Sequence, residues 1–267
     1  MTIVRTGAMA GVALIAIASA APASAEAFNR IATFHVVDNL PADADPADDT
    51  VSEIIAPSED GMTLIYTDSP GQRVGLIDIA DPRAPRAAGV VALDGEPTSV
   101  VVSGGNALVG VVTSESYANP SGHVAVVDLA SKAVVATCDL GGQPDSLAKS
   151  ADRRYLAVII ENERDEEFND GEIPQLPAGN LTVFPLKDGA PDCAAKVIVD
   201  LTGLAEVAPT DPEPEFVDIN AANQAVVSLQ ENNHIAIVDL ATGKVTAHFS
   251  AGTVDLSGID TEKDKII

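Results

Sequence analysis

A degenerate repeat of four short apolar segments limits the fold of this chain more than any other feature. Its last complete copy, within residues 216–249, reads FVDI, QAVVSLQ, HIAIVDL and KVTAHF, separated by NAAN, ENN and ATG. Each segment is short and rich in β-branched residues, and the residues between segments favour turns. This copy therefore predicts a four-stranded antiparallel meander.

Three earlier copies follow the same order. The first reads SEIIAPS, TLIYT, RVGLIDI and AAGVVAL, and the second reads TSVVVS, ALVGVVTS, HVAVVDL and AVVATCDL. The third reads DSLAKS, YLAVIIE, LTVFPL and AKVIVDL, with a long insertion after its second segment. A fifth copy begins at DLSGID, residues 255–260.

Two recurring residues set the register of the repeat. Proline precedes the first strand and aspartate closes the third, at Pro97, Pro144 and Pro214 and at Asp78, Asp128 and Asp239. The interval from residue 97 to residue 144 is 47 residues, which fits the roughly 40–50 residues of a four-stranded propeller blade. We therefore predict an all-β fold, a β-propeller of four-stranded antiparallel blades, because a β-sandwich does not explain a repeating register.

About four complete blades and the start of a fifth indicate a piece of a larger propeller, and we expect a seven-bladed parent. An exposed blade edge would be left at each end of the array. The segment FNRIATFHVV, residues 28–37, has the composition of a strand that supplies the missing strand of a final blade.

The N-terminus predicts a secretory signal peptide over residues 1–25, followed by the propeller domain over residues 26–267. Arg5 precedes an apolar stretch over residues 8–20, and Ala23-Ser24-Ala25 fits the small-residue cleavage pattern. The apolar stretch is too short for a good membrane span. We expect a periplasmic or secreted protein without a membrane span after cleavage.

The charge balance narrows the class of partner. Forty acidic residues against fifteen basic ones give a formal net charge of −25. Such a charge disfavours nucleic acids and anionic membranes and favours cations or basic partners. Solubility in a salty medium is the alternative explanation.

The two cysteines, Cys138 and Cys193, belong to outer strands of neighbouring copies. An oxidising compartment permits a disulfide between them. The alternative is that both are small buried apolar residues.

Strand alternation assigns the loops to two opposite faces. The turns between second and third strands share a face with the links between copies, and this face collects acids at Asp68, Asp94, Glu96, Glu115, Asp145, residues 161–172, Asp211, Glu213, Glu215 and Glu231. The opposite face collects bases at Arg83, Arg86, Lys132, Lys149, Arg153, Arg154, Lys187, Lys244, Lys263 and Lys265. Since functional sites concentrate in loops on a rigid scaffold, we expect a protein or small-molecule ligand at the acidic face.

Acids that follow the second strand of successive copies predict a ring of carboxylates at one mouth of the propeller. The predicted ligand-binding residues are Glu115, Glu161, Glu163, Glu231 and Asn232. Asn232 is also explained as a turn former, because asparagine tolerates left-handed backbone and bonds nearby main chain.

The insertion in the third copy offers hard oxygen ligands of the kind that Ca²⁺ prefers. The candidate metal ligands are Asp165, Glu167, Asn169 and Asp170. The EF-hand pattern fails, since Asp170 stands where that loop requires glycine. The alternative is a solvated acidic loop with a proline-rich segment that leads back to the sheet.

Motifs of known catalytic chemistry are missing from the sequence. It has no GxSxG, no HExxH and no phosphate-binding glycine loop. The four histidines, His35, His123, His234 and His248, show no metal-ligand spacing. His123 and His234 both begin a third strand, which favours a structural role for them.

Two longer stretches carry a resemblance to a known family. PEPEFVDINAANQAVVSLQENNHIAIVDLATGKV and IENERDEEFNDGEIPQLPAGN resemble exported YVTN-type β-propellers, in particular the choice-of-anchor I and esterase-like phytase proteins. The resemblance implies the propeller fold and a link to phosphate-ester chemistry. The resemblance supplies no catalytic motif that can be assigned to residues of this chain.

Two hypotheses for function follow. The first is a non-catalytic exported module whose acidic face binds a ligand, a divalent cation or a protein. The second is a Ca²⁺-dependent phosphoesterase, in which metal held by carboxylates binds the phosphate. Its candidate ligands are Glu161, Glu163, Asp165, Asp170 and Glu231.

Overall fold

The computed structural model describes residues 29–42, 44–45, 47–165 and 167–259. The chain divides into an N-terminal unit, residues 1–31, and a compact unit, residues 32–267. Of the first unit only residues 29–31 are described, and they form neither helix nor strand. The predicted signal peptide, residues 1–25, lies outside the described residues. No described helix is long and apolar enough to cross a membrane.

The compact unit consists of four antiparallel sheets whose strands follow the order of the sequence. Sheet 1 contains β1 (Ile55–Pro57), β2 (Thr63–Asp68), β3 (Arg73–Asp78) and β4 (Arg86–Ala92). Sheet 2 contains β5 (Glu96–Ser103), β6 (Asn106–Val112), β7 (Gly122–Asp128) and β8 (Ala133–Asp139). Sheet 3 contains β9 (Pro144–Lys149), β10 (Tyr155–Ile160), β11 (Asn180–Lys187), β12 (Ala190–Pro191) and β13 (Val197–Asp200), the last two both pairing with β11. Sheet 4 contains β14 (Pro214–Ile219), β15 (Gln224–Leu229), β16 (His234–Asp239) and β17 (Lys244–Ser250).

The sheets are arranged as successive blades of a propeller. The first strands β1, β5, β9 and β14 pack against one another in that order. Hydrogen bonds tie neighbouring first strands together, for example Thr98 Oγ1 to the Pro144 carbonyl at 3.0 Å and Leu147 N to Ser99 Oγ at 3.2 Å. The predicted all-β architecture of four antiparallel blades is confirmed, with the fourth strand of sheet 3 divided into β12 and β13 along β11.

Apolar side chains fill the space between each pair of neighbouring sheets. Along β6, Val109 belongs to the cluster shared with sheet 1, whereas the adjacent Leu108 belongs to the cluster shared with sheet 3. This alternation follows from the two-residue period of a strand. A third cluster joins sheets 3 and 4 around Leu181, Val227 and Leu229. Burial of apolar side chains between neighbouring sheets therefore holds adjacent blades together.

The predicted N-terminal strand over residues 28–37 is not formed within the described residues. Residues 29–35 have no regular structure, and Val36–Asn39 is a 3₁₀ turn. This turn packs against β3 and β4. The buried Asn39 amide donates to the Tyr66 hydroxyl and to the carbonyls of Leu76 and Gly89. Side-chain bonding to the first sheet thus replaces the strand pairing that the composition suggested.

The predicted first strand of a fifth copy, residues 255–260, is also wrong where it is described. Residues 255–259 contain a turn and no strand, and Asp260 lies outside the described residues. The Asp255 carboxylate accepts from the Ser257 amide at 2.9 Å. Val254 and Leu256 are 79% and 60% exposed. Apolar composition does not make a strand unless a neighbouring strand takes up its backbone hydrogen bonds.

Candidate functional site

An acidic cleft of about 260 Å³ opens where the loops of sheets 3 and 4 meet. Glu161 directly follows β10, while the lead-in to β14 and the turn between β15 and β16 supply the other side. We define the acidic cleft by its lining residues, Glu161, Glu163, Arg164, Glu213, Glu215, Gln230 and Glu231. Three of the five predicted ligand-binding residues, Glu161, Glu163 and Glu231, are therefore brought together.

The strands explain why these carboxylates share one end of the sheets. Asp145 lies at the start of β9 and Lys149 at its end. Lys149 and Arg153 form ion pairs with Glu59, in the turn between β1 and β2, with N–O distances of 3.6 and 2.9 Å. Consecutive antiparallel strands place their connecting loops at alternate ends. The acidic loops and these basic residues thus lie at opposite ends of the blades.

Among the described residues, Arg164 is the only cationic side chain that lines the acidic cleft. Its Nη1 atom lies 3.2 Å from Asp211 Oδ2 and 2.9 Å from Glu213 Oε1. The Asp211 and Glu213 side chains are only 4% and 6% exposed. Carboxylates this far removed from water require a partner, and the guanidinium supplies it. The cleft therefore already holds one guanidinium group from its own chain.

The remaining carboxylates of the cleft are close enough to disturb one another. Burial, followed by the charges of Asp145, Glu163, Glu215 and Glu213, raises the pKa of Glu161 to about 8. Burial, followed by Glu215 and Glu163, raises the pKa of Asp145 to about 6. Like charges and desolvation both favour the protonated carboxyl. Glu161 therefore keeps its proton at neutral pH, and a positive charge in the cleft would displace that proton.

Asn232 lies behind the cleft and does not line it. The side chain is 1% exposed. Its amide donates to the carbonyls of Val207, Ala208 and Asp211, and its oxygen accepts from Glu213 N at 2.9 Å. With its amide occupied in this way, Asn232 holds the link between sheets 3 and 4 in place. The buried position of Asn232 gives no support to its predicted contact with a ligand.

Glu115 lies apart from the other predicted ligand-binding residues. It lines a separate, shallow cleft of about 510 Å³ with Asn119 and Pro177. The insertion reaches this region through Gln175, whose Nε2 donates to the Tyr117 carbonyl at 3.3 Å. Of the carboxylates predicted to form a ring, Glu161 and Glu231 thus line the acidic cleft and Glu115 does not.

The predicted Ca²⁺ ligands lie in the insertion between β10 and β11. Asp165 Oδ1 accepts from the amides of Glu167 and Phe168, at 3.0 and 3.2 Å, and begins a 3₁₀ turn over Phe168–Gly171. Asn169 and Asp170 both have left-handed backbone, with φ of 53° and 57°. No group of three or more His, Cys, Asp or Glu residues capable of holding a metal occurs in the part of the chain that is described. The Ca²⁺ site remains a prediction without a ligand set formed around it.

Three further contacts involve cysteines and histidines considered in the sequence. Cys138 and Cys193 form a disulfide that joins sheets 2 and 3. His123 Nε2 lies 3.1 Å from Asp94 Oδ1. His234 Nε2 lies 2.9 Å from His248 Nδ1, a pairing that the sequence spacing did not reveal. Arg164 was not predicted as a site residue, because a single base within a run of acids is also expected in a solvated loop.

Comparison with known proteins identifies a family, and the chain is similar to solved structures that include two distant ones. The model described as the choice-of-anchor I domain matches residues 53–266. A search of curated proteins gives no match. The chain is similar to hydrazine synthase of Kuenenia stuttgartiensis, with 14% identity and a TM-score of 0.39, over 71% of this chain and 64% of that one.

A second solved structure is a protein of unknown function from Bacteroides caccae. It has 10% identity and a TM-score of 0.45, over 76% of this chain and 61% of that one. This chain thus spans less than two thirds of the length of both solved structures.

Proposed function

Because the chain belongs to the choice-of-anchor I family, whose model covers nearly all of the sheets described above, we propose that it is an exported binding module. Its acidic cleft receives a positively charged group, a guanidinium or ammonium, from another protein. The observation that carries this proposal is Arg164, whose guanidinium donates a hydrogen bond to Asp211 and forms an ion pair with Glu213. Glu161, Glu163, Glu215 and Glu231 line the same cleft beside it.

Charge supports a cationic ligand over other classes. The chain carries a net charge of −25, so a cation is attracted from a distance and an anion is repelled. A cation in the cleft displaces the proton that Glu161 holds at neutral pH. Binding should therefore release protons and strengthen as the pH rises towards about 8. An organic cation fits better than Ca²⁺, because no ligand set for a metal is formed among the described residues.

Export is proposed from the N-terminal sequence and agrees with the disulfide between Cys138 and Cys193. Disulfides persist in oxidising compartments outside the cytosol. N-terminal sequencing of the protein recovered from its source tests the proposal. A first residue at Glu26 supports cleavage of the signal peptide; an intact Met1 in the cytosolic fraction overturns it.

The phosphoesterase hypothesis gains no supporting observation. Asp165 uses its carboxylate to begin a turn, and Asp170 lies in left-handed backbone beyond it. Neither residue lines the acidic cleft with Glu161 and Glu231. The five carboxylates of that hypothesis are thus divided between two places.

Calorimetry with an oligoarginine peptide tests the binding function. We expect saturable binding at pH 8.5 that weakens at least tenfold in Glu215→Gln/Glu231→Gln. The matched control, Asp48→Asn/Asp188→Asn, removes the same charge outside the cleft and should bind like the parent. Equal weakening in both variants would mean a general charge effect and would contradict the proposal. Displacement of the peptide by Ca²⁺ but not by Na⁺ at equal ionic strength would instead identify a divalent cation as the occupant.

A further inference from the structure

Two histidine rings meet on the last sheet, and neither of them lines the acidic cleft. His234 begins β16 and His248 lies in β17. Their Nε2 and Nδ1 atoms are 2.9 Å apart, and the ring centroids are separated by 5.2 Å. Only one proton fits between two nitrogens at this distance, so one ring accepts through a lone pair. The two rings therefore direct one nitrogen each towards the same point.

A register shift in the β16–β17 pair brings the two rings to one face of the sheet. Asp239 pairs with Lys244 and Val238 with Val245, but Ile237 then pairs with Ala247. The extra residue moves His248 opposite Ala236, two positions from His234, so both side chains project from the same face. Without this bulge, His248 would lie opposite Ile235 and project from the other face.

The pair combines a fixed ring with an accessible one. His234 is 7% exposed, while His248 is exposed on the outermost strand of the sheet. Glu206 is near enough to His234 to act on it electrostatically with a negative charge. One ring is thus held in place, the other can adjust, and solvent reaches the nitrogens from the side of His248.

We propose that His234 and His248 form a two-histidine site for a transition-metal dication such as Zn²⁺. Imidazole nitrogen suits Zn²⁺, Cu²⁺ and Ni²⁺. The metal takes the place of the proton shared by Nε2 and Nδ1, which leaves to solvent. Zn–N bonds of about 2.0–2.1 Å in a tetrahedral site hold two nitrogens about 3.3 Å apart, so the nitrogens must separate by about 0.4 Å and the rings must tilt until both lone pairs face the metal.

Water completes the coordination of the metal. Within the described residues, no third His, Cys, Asp or Glu joins the two histidines in a metal-holding group. Two protein ligands leave open positions, which is the arrangement of an exchangeable site and not of a closed structural one. The proposal is independent of the acidic cleft, since neither histidine lines it.

Zn²⁺ calorimetry on the full chain tests this site. We expect one saturable Zn²⁺ site whose affinity falls at least tenfold in His248→Gln and in His234→Gln. His35→Gln is the matched control, because His35 is exposed and lies outside the four sheets. His248→Gln alters an exposed side chain and decides the question if His234→Gln fails to fold. Nuclear magnetic resonance should show Zn²⁺ shifting the ring signals of His234 and His248 together.

Three outcomes would overturn the proposal. The first is the absence of saturable Zn²⁺ binding to the folded parent chain. The second is unchanged affinity in His248→Gln. The third is a Zn²⁺ site that Glu215→Gln/Glu231→Gln abolishes, because the metal would then occupy the acidic cleft.

Discussion

Asn162 and Asn232 occupy equivalent positions in sheets 3 and 4. Each oxygen accepts from the residue that precedes the proline of the first strand: Gln143 N lies 2.9 Å from Asn162 Oδ1, and Glu213 N lies 2.9 Å from Asn232 Oδ1. Each amide then donates to carbonyls of the adjoining loop. Sheets 3 and 4 therefore share an asparagine whose side chain joins a loop to the first strand.

Replacement of Asn232 should destabilise the fold. Asn232→Ala leaves the buried Glu213 amide and several carbonyls without their partner, at a cost of about 1–3 kcal/mol. Urea unfolding measures the loss. Asn119→Ala, at an exposed position of a loop, is the control and should change the free energy of unfolding little. Equal effects of the two substitutions would show that the Asn232 amide does not tie the link to the fold.

Loss of Arg164 should be more damaging than loss of an exposed arginine. Arg164→Met leaves the Asp211 and Glu213 carboxylates buried without a counter-charge, which costs about 3–5 kcal/mol. Burial already raises the pKa of Glu213 and Arg164 opposes that rise, so the loss should be smaller at pH 5 than at pH 8.

The matched control for Arg164→Met is Arg154→Met. Arg154 pairs with Asp152 at 2.7 Å, but the Arg154 side chain is 63% exposed. Surface pairs of this kind contribute little to stability. If both variants unfold at the same urea concentration at pH 8, the buried ion pair is not an important support of the loops.

Glu161 should make the protein less stable as the pH rises. The pKa of Glu161 is raised from 4.5 to about 8 in the folded chain, so between these values the folded state binds more proton than the unfolded state. The energetic penalty of its charge is absent below about pH 4.5, grows through this window and is complete above pH 8. Glu161→Gln should remove this part of the slope and be more stable than the parent at pH 8.5.

Urea unfolding at several pH values between 5 and 9 measures this slope. Asp145 contributes in the same direction over a lower window, since its pKa is raised to about 6. Glu115→Gln changes an exposed acid outside the acidic cleft and should leave the slope unchanged. A parent-like slope in Glu161→Gln would show that Glu161 ionises normally.

The disulfide should stabilise the junction of sheets 2 and 3. Cys138 and Cys193 are separated by 55 residues, and closing a loop of this size contributes about 2–4 kcal/mol. The Cys138→Ala/Cys193→Ala variant should therefore melt at a lower temperature, and a reductant should lower the melting temperature of the parent but not of the variant. A reductant that affects both equally would act elsewhere.

The repeat pattern was sufficient to predict the sheets. β-branched segments in a fixed register with proline and aspartate specify strands, their order and the end of the blade to which each loop belongs. This is why Glu161 and Glu231 were predicted to lie together, although 70 positions separate them. Strand order depends on local pattern, which a single sequence contains.

The features that escaped prediction depend on contacts that no local pattern encodes. The N-terminal segment has strand-like composition. It nevertheless ends in a 3₁₀ turn, whose Asn39 side chain hydrogen-bonds to sheet 1. The meeting of His234 and His248 depends on one extra residue in β17. A regular register predicts opposite faces for the two rings, and no propensity identifies a bulge at this position.

The insertion of sheet 3 leaves and rejoins the sheet at neighbouring points. Ile160 pairs with Asn180, and Asn162 binds the carbonyls of Pro177 and Ala178, so both ends of the excursion are anchored to β10 and β11. The described residues between these anchors, 163–165 and 167–176, contribute no strand to any sheet. The part of this stretch between Arg164 and Gln175 can therefore be exchanged in evolution, and an engineer can graft a foreign recognition peptide there, while the blade retains its complete ladder.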